Sequence, residues 1–93
     1  MFINISIHEP KPEYEELLID SMHRYGEAVM KAPGSREVHT LKDSRTGNLV
    51  GLAIWESKDD YLAARPALME AVKDDNFDLW EAKPIEGYHL EKA

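Results

Sequence analysis

Cysteine is absent from the 93-residue sequence. Its absence excludes disulfide bonds, thiolate catalysis and zinc sites built on cysteine, and is typical of a reducing compartment. The first residues, Met1 to Asn4, contain no basic segment followed by a long apolar one, so no secretory signal is predicted. The apolar run from Leu49 to Trp55 is too short to cross a membrane. We therefore expect a cytoplasmic protein.

Basic residues are also scarce. Eleven Lys and Arg stand against 18 Asp and Glu, giving a net charge of -7, and they form no cluster. Because neutralisation of phosphates supplies most of the affinity for nucleic acids, neither nucleic acid nor an anionic membrane surface is an expected partner. The apolar content of 43% suits one domain, residues 1–93, with a modest core, so pairing with a second copy would help to build a pocket.

The first half of the chain predicts a strand, a helix and a hairpin. Residues Phe2 to His8 alternate between isoleucines on one face and mostly polar side chains on the other, which is typical of a half-buried strand. A helix begins near Pro12 and ends at Pro33-Gly34, with apolar residues at three- and four-residue spacing. Strands follow at Ser35 to Lys42 and at Leu49 to Trp55.

The second half predicts another helix and a last strand. Ser57 to Asp60 fit a capping box, in which the Ser57 hydroxyl accepts from an amide three residues on and Asp60 reaches back to an unpaired amide. Pro66 predicts a kink or two short helices. A single-turn segment anchored by Phe77 and Trp80 precedes a strand at Ile85 to Leu90.

The order βαββαβ predicts an α+β, ferredoxin-like fold with a four-stranded antiparallel sheet and both helices on one face. The other face would expose a continuous apolar surface, which includes the first-strand isoleucines and Val50, Leu52 and Ile54. We therefore predict a homodimer in which two sheets pack face to face as a dimeric α+β barrel.

The length of the hairpin loop decides which face His39 occupies. Gly47 is expected to supply the left-handed residue of this loop. A three-residue loop puts His39 on the face that carries Gly51, Ala53 and Trp55. A four-residue loop puts it on the opposite face, because a slip of one residue turns every side chain over. We favour the three-residue loop, since it gathers the apolar residues on one face.

Four features together resemble the antibiotic biosynthesis monooxygenase superfamily. They are the element order, Pro33-Gly34, the Asp-x-x-Thr-Gly hairpin at Asp43 to Gly47, and Trp55-Glu56-Ser57 at the strand-to-helix junction. Enzymes of that superfamily oxidise phenolic polyketides or quinols with molecular oxygen and no metal or flavin; others degrade haem, and many have no known activity. The resemblance implies a cofactor-free monooxygenase acting on a small aromatic or quinol in a pocket between sheet and helices.

The resemblance also implies site residues. The family's first-strand polar residue falls on Asn4, its junction tryptophan on Trp55 and the helix tyrosine of the polyketide-oxidising branch on Tyr61, and His39 offers a second-strand histidine. Asn4, Trp55 and Tyr61 could hydrogen-bond a substrate oxygen, and His39 is the only one of the four whose residue type has an unperturbed pKa near neutral pH. We predict these four as catalytic. We predict substrate contacts from five more residues: Ser6, Met22, Tyr25, Gly51 and Ala53.

The sequence departs from the family in ways that keep a second hypothesis open. Gly51 stands where the polyketide-oxidising branch has an asparagine, and its later arginine has no counterpart. The second helix lacks the histidine of the haem-degrading branch, and the remaining histidines show no metal-binding spacing, so neither haem nor metal is expected. Trp55 and Tyr61 also suit ordinary core packing. The alternative is a non-catalytic dimeric barrel that binds a small hydrophobic molecule or is structural.

Overall fold

The secondary structure follows the predicted order. The computed structural model describes all residues from Met1 to Ala93. Its elements are β1 (Phe2–His8), a short 3₁₀ helix (Pro12–Tyr14), α1 (Glu15–Lys31), β2 (Ser35–Lys42), β3 (Leu49–Trp55), α2 (Lys58–Ala71), α3 (Phe77–Trp80) and β4 (Glu86–Glu91). The first three strands have the predicted bounds, and β4 lies one residue later than predicted. No helix combines the length and the apolar character that a membrane crossing requires.

The four strands form one antiparallel sheet in the order β2-β3-β1-β4, which confirms the predicted ferredoxin-like arrangement. The main core lies between this sheet and the two long helices. Phe2, Ala53 and Trp55 of the sheet pack with Val29 of α1 and Leu68 of α2, and all five are buried. Burial of these apolar side chains holds the helices on one face of the sheet.

Gly34 lies in the connection between α1 and β2 and packs against the beginning of α2. It adopts φ 85°, a left-handed conformation that glycine enters without steric cost. A Cβ at this position would also collide with the carboxyl group of Asp60, in the first turn of α2. The Glu56 amide donates to the Gly34 carbonyl at 2.8 Å, so this connection packs tightly against the β3–α2 junction.

The beginning of α2 matches half of the predicted capping box. The Ser57 hydroxyl accepts from the Asp60 amide at 3.2 Å, as predicted. The Asp60 carboxylate does not reach back to a backbone amide; it accepts from the Ser57 hydroxyl at 3.0 Å instead. Helix α2 then continues through Pro66, which excludes two short helices, the second of the two predicted alternatives. Pro66 and Leu62, whose carbonyl loses its helical partner, are both exposed, and water can satisfy that carbonyl.

The hairpin between β2 and β3 takes the four-residue loop. The Asp43 amide donates to the Asn48 carbonyl at 2.8 Å, and the Gly47 amide donates to the Asp43 carbonyl at 2.8 Å. Gly47 adopts φ 79°, which confirms its predicted left-handed conformation. His39 pairs with Leu52 across the ladder. The favoured three-residue register is therefore wrong, and His39 lies on the face opposite Gly51, Ala53 and Trp55.

Packing of α1 explains this register. Val38 pairs with Ala53, faces the helices and packs against the main core. A Cβ at Gly26 of α1 would lie 3.6 Å from Val38 Cγ2, so the helix backbone lies close to this valine. Since α1 covers β2, the helix side of the sheet buries Val38 more completely than the uncovered side would.

The sheet face away from the helices, called here the open face, is the predicted apolar surface. Its cross-strand neighbours include Ile3 with Ile54, Ile5 with Leu52, and Ile7 with Val50. The register adds Leu41, Tyr88 and Leu90, which are among the most exposed large apolar side chains of the chain. Contiguous apolar surface of this kind marks interaction sites.

Candidate functional site

A cavity of about 240 Å³ lies between the sheet and the helices. Eleven of its 20 lining residues are hydrophobic, which suits a small apolar ligand oriented by a few polar groups. Eight of the nine predicted site residues line it: Asn4, Ser6, Met22, Tyr25, His39, Gly51, Ala53 and Tyr61. The sheet supplies Asn4, Ser6, Gly51 and Ala53 from the helix-facing sides of β1 and β3, which the pleat places side by side.

Trp55 is the predicted site residue that does not line the cavity. Its side chain has no exposed surface and packs in the main core. Its indole Nε1 donates to Asn4 Oδ1 at 3.1 Å. Because the indole is a donor only, this bond fixes which end of the Asn4 amide is the oxygen and directs the Nδ2 donors toward the cavity and Tyr25. Trp55 therefore positions Asn4.

Two tyrosines join Asn4 at the cavity. Burial raises the pKa of Tyr25 to about 12, the nearby Tyr61 phenol adds to the rise, and hydrogen bonding by Asn4 and the charge of Arg65 oppose it. Tyr25 thus stays protonated at neutral pH and can donate a hydrogen bond. Tyr61 is held by aromatic packing: its ring centroid lies 5.3 Å from that of Phe2 and 5.8 Å from that of Trp55.

His39 does not join these groups. It lies on the open-face side of β2, its side chain is 50% exposed, and its Nε2 lies 3.5 Å from Glu37 Oε1. His39 is among the residues that line the cavity, but the register directs its side chain away from the helices. The structure therefore brings Asn4 and Tyr61 together, connects Trp55 to them through a hydrogen bond, and separates His39 from all three.

Two polar residues that were not predicted, His8 and Glu81, form a hydrogen-bonded group with the predicted residue Ser6. His8 Nδ1 lies 2.5 Å from Glu81 Oε2, and His8 Nε2 lies 2.9 Å from Ser6 Oγ. His8 and Glu81 are each only 7% exposed. The spacing of Ser6 and His8 on one strand placed them on the same face and was a usable signal. Glu81 lies 73 residues away and had no such signal.

Gly51 makes room for this group. A Cβ at position 51 would lie 2.8 Å from Ser6 Oγ, closer than such atoms can approach. Ser6 also pairs with Gly87 on its other side, where a Cβ would meet no atom within 4 Å. Glycine at position 51 thus has a local reason, since any side chain there would displace the Ser6 hydroxyl.

No cluster of three or more His, Asp or Glu side chains is arranged to hold a metal ion. The polar groups of the cavity are amide, phenol, hydroxyl and imidazole groups, which bind organic ligands through hydrogen bonds.

No protein-family model matches the sequence, and no curated protein matches it. Solved structures do match. Rv0793 from Mycobacterium tuberculosis superposes with a TM-score of 0.85 at 15% identity, covering 99% of this chain and 94% of that one. A structure described as antibiotic biosynthesis monooxygenase gives a TM-score of 0.81 at 12% identity and covers 100% and 99%. A protein from Nitrosomonas europaea, provisionally given the same description, gives 0.78 at 17% identity and covers 99% and 98%.

These likenesses extend over the whole chain. The predicted resemblance to the antibiotic biosynthesis monooxygenase superfamily is confirmed at the level of the fold. The chain has the α+β fold of structures that carry that description.

Proposed function

We propose that this protein is a cofactor-independent monooxygenase that oxidises a small aromatic, phenolic or quinol substrate with molecular oxygen. The observation that carries the proposal is the cavity in which the Asn4 amide, oriented by the Trp55 indole, lies beside the phenols of Tyr25 and Tyr61. A mostly apolar chamber with donors gathered at one place suits an aromatic ring bearing oxygen substituents.

The chemistry requires the substrate to supply the electrons. A quinol first loses a proton, and its electron-rich anion reduces oxygen. One oxygen atom enters the ring, the other leaves as water, and the quinol becomes a hydroxyquinone. An anthrone methylene reacts with the same balance and becomes a carbonyl with release of one water. The protein contributes orientation, exclusion of bulk water and hydrogen bonds to the developing charge.

The residues divide these tasks. Asn4 Nδ2 donates to a substrate oxygen, and Trp55 acts through Asn4 by holding its amide oxygen. Tyr25 donates as a neutral phenol, since burial raises its pKa to about 12. Tyr61, held by Phe2 and Trp55, offers a second phenol. Ser6, Met22, Gly51 and Ala53 shape the chamber.

The proposed active form is a cytoplasmic homodimer. The open face presents apolar residues from all four strands, and a second copy of the same sheet would cover it with a surface of the same character. Each subunit would then carry one cavity on the helix side of its own sheet.

The second candidate is a binding protein without catalysis. Trp55 is packed in the core, and most of the cavity lining is hydrophobic, which favours simple retention of a small hydrophobic molecule. In this case, substrates would bind in the cavity without being consumed.

Oxygen uptake by metal-stripped protein, measured with a panel of hydroquinones and anthrones, tests the proposal. We expect protein-dependent uptake that falls in Asn4→Ala and in Trp55→Phe. Trp80→Phe is the matched control, because Trp80 does not line the cavity and makes no bond to Asn4. Uptake at the spontaneous rate together with saturable ligand binding would instead establish the binding protein.

A further inference from the structure

Three side chains form a continuous hydrogen-bonded row that runs from the protein interior to the cavity. Glu81 follows α3 and bonds His8 Nδ1 at 2.5 Å, and His8 Nε2 bonds Ser6 Oγ at 2.9 Å. Ser6 and His8 line the cavity, whereas Glu81 lies behind them. The backbone bridge between Pro10 and Glu81 fixes the segment that carries the carboxylate beside the end of β1.

The order of these bonds sets the direction in which a proton can move. In the neutral ring, the proton lies on Nδ1 and is donated to the carboxylate, since a carboxylate only accepts. Nε2 is then the acceptor and receives the hydrogen bond of the Ser6 hydroxyl. If Nε2 gains a proton, the adjacent buried carboxylate stabilises the resulting imidazolium. Glu81 Oε1 is buried without a hydrogen-bond partner, so His8 is the group that the carboxylate charge stabilises most directly.

The surroundings of Ser6 leave its hydroxyl accessible from the cavity. Both cross-strand neighbours of Ser6 are glycines, Gly51 and Gly87. Space beside Gly87 is open, with no atom within 4 Å of a Cβ built there. Gly87 is exposed on the edge strand β4, so the space beside Ser6 on this side is open. The absence of side chains on both neighbours allows a ligand oxygen to approach the Ser6 hydroxyl.

No other lining residue of the cavity offers an equivalent proton acceptor. The lining contains no Asp, Glu, Lys or Arg, and its ionisable members are Tyr25, Tyr61 and three histidines. Tyr25 has a pKa raised to about 12 and stays protonated. His39 faces the open side of the sheet. His89 packs edge-on against Phe2 and Tyr61 and has no carboxylate partner.

We propose that Ser6, His8 and Glu81 form a proton relay that deprotonates an acidic phenol or enol hydroxyl bound in the cavity. The substrate O–H breaks and its proton moves to Ser6 Oγ, while the Ser6 hydroxyl proton moves to His8 Nε2. The products are a substrate anion and an imidazolium held by Glu81, with no change in oxidation state. Ser6 is the catalytic residue in contact with substrate, His8 receives the proton through it, and Glu81 is a positioning residue. The inference rests on the proposed function only in taking the ligand to be phenolic.

The test uses 4-nitrophenol, whose phenol and phenolate forms absorb at different wavelengths, bound to the intact protein over a range of pH. We expect wild type to bind the phenolate at pH values where the free compound is mainly protonated. The ratio of bound phenolate to bound phenol should fall about tenfold in Ser6→Ala, His8→Gln and Glu81→Gln, since a hydrogen bond to a charged group is typically worth that factor or more. Ser6→Ala leaves the His8–Glu81 pair intact and so remains informative if the other variants do not fold.

Three outcomes would overturn the relay. They are failure of 4-nitrophenol to bind, an unchanged phenolate ratio in folded Ser6→Ala, and a loss of phenolate in His89→Gln or His39→Gln instead of His8→Gln. His23→Gln is the matched control, because His23 is exposed on α1 and does not line the cavity. None of these measurements uses oxygen. A normal phenolate response with no oxygen uptake would refute the monooxygenase and leave the relay standing.

If the protein oxidises a quinol, the relay also predicts how the oxidation rate changes in these variants and with pH. Loss of a general base typically lowers the rate by about 10²–10⁴-fold. The oxidation rate of Ser6→Ala should recover as the pH rises, because the quinol then ionises in solution without the relay. The oxidation rate of Asn4→Ala should not recover. Equal loss at all pH values in both variants would contradict proton transfer through Ser6.

Discussion

Substitution of Gly51 by alanine tests the geometry around Ser6 most directly. The new Cβ would lie 2.8 Å from Ser6 Oγ and 3.5 Å from Met22 Cε. The second distance is an ordinary contact, but the first forces the Ser6 hydroxyl to move. Serine has a single side-chain torsion, so the Ser6 hydroxyl can move only by rotating to another rotamer. That rotation breaks its 2.9 Å hydrogen bond to His8 Nε2.

The expected change in stability is the difference between two effects. Alanine in place of glycine stabilises a strand by about 0.5–1 kcal/mol, because the unfolded chain has fewer conformations to lose. A buried imidazole nitrogen left without its partner costs about 1–3 kcal/mol. We therefore expect Gly51→Ala to lower the free energy of unfolding by about 1 kcal/mol, which corresponds to a Tm lower by roughly 4–8 °C for a domain of this size.

The assay is equilibrium urea unfolding at one protein concentration, with two comparisons. Gly87→Ala is the matched control, because Gly87 flanks Ser6 on the other side and a Cβ there meets nothing. It should leave the protein as stable or slightly more stable. In a Ser6→Ala background there is no hydroxyl to displace, so Gly51→Ala should then also stabilise, giving a coupling of about 1–3 kcal/mol between the two sites.

Two results would refute this reasoning. One is a Gly51→Ala protein at least as stable as wild type. The other is an equal cost of Gly51→Ala with and without the Ser6 hydroxyl, which would place the strain elsewhere in the strand.

Three further predictions concern other parts of the fold. Asp75→Ala should cost about 2 kcal/mol in urea unfolding, because its nearly buried carboxylate accepts from the Ser21 hydroxyl at 2.6 Å and from Arg24 at 3.1 Å, whereas exposed Asp74→Ala should cost little. Burial raises the pKa of Tyr25 from 10.0 to about 12. The folded state thus holds that proton more tightly, and its contribution to stability is complete below pH 10 and lost as the pH rises toward 12. Tyr25→Phe should remove this loss of stability between pH 10 and 12. The phenol with a pKa of about 12 should also be missing from an absorbance titration of the variant. Ser57→Ala should lower the midpoint of unfolding by the equivalent of about 1 kcal/mol through loss of the α2 cap, and an unchanged midpoint would contradict the cap.

The wrong prediction for His39 shows where sequence reasoning stops. Both loop lengths fit residues 43 to 48, and both give β2 an acceptable pattern of side chains. The structure selects the loop in which Val38 packs beneath α1, because the helix covers this edge of the sheet. That choice turns His39 to the open face, away from the helix side of the sheet and from Asn4.

Trp55 illustrates a different limit. Its position at the end of β3 was evident from the sequence, and so was its place on the same face as Asn4. Whether it would touch a ligand or a neighbouring side chain depended on how deeply α2 covers it. Tyr61 of α2 packs edge-on against the tryptophan ring, which the main core buries completely, so the indole N–H bonds Asn4 instead of a ligand.

The sequence by itself determined the elements of this protein and the two faces of its central strands. Alternation in β1, the β3 apolar run and the Ser57 cap are local patterns, and local patterns are governed by side-chain period and by backbone hydrogen bonding. Only the tertiary structure decided which polar groups meet. The bond between His8 and Glu81 joins residues 73 positions apart, and its formation depends on the segment after α3 packing beside the end of β1. No local pattern encodes such a contact, because it exists only when the sheet and helices have assembled.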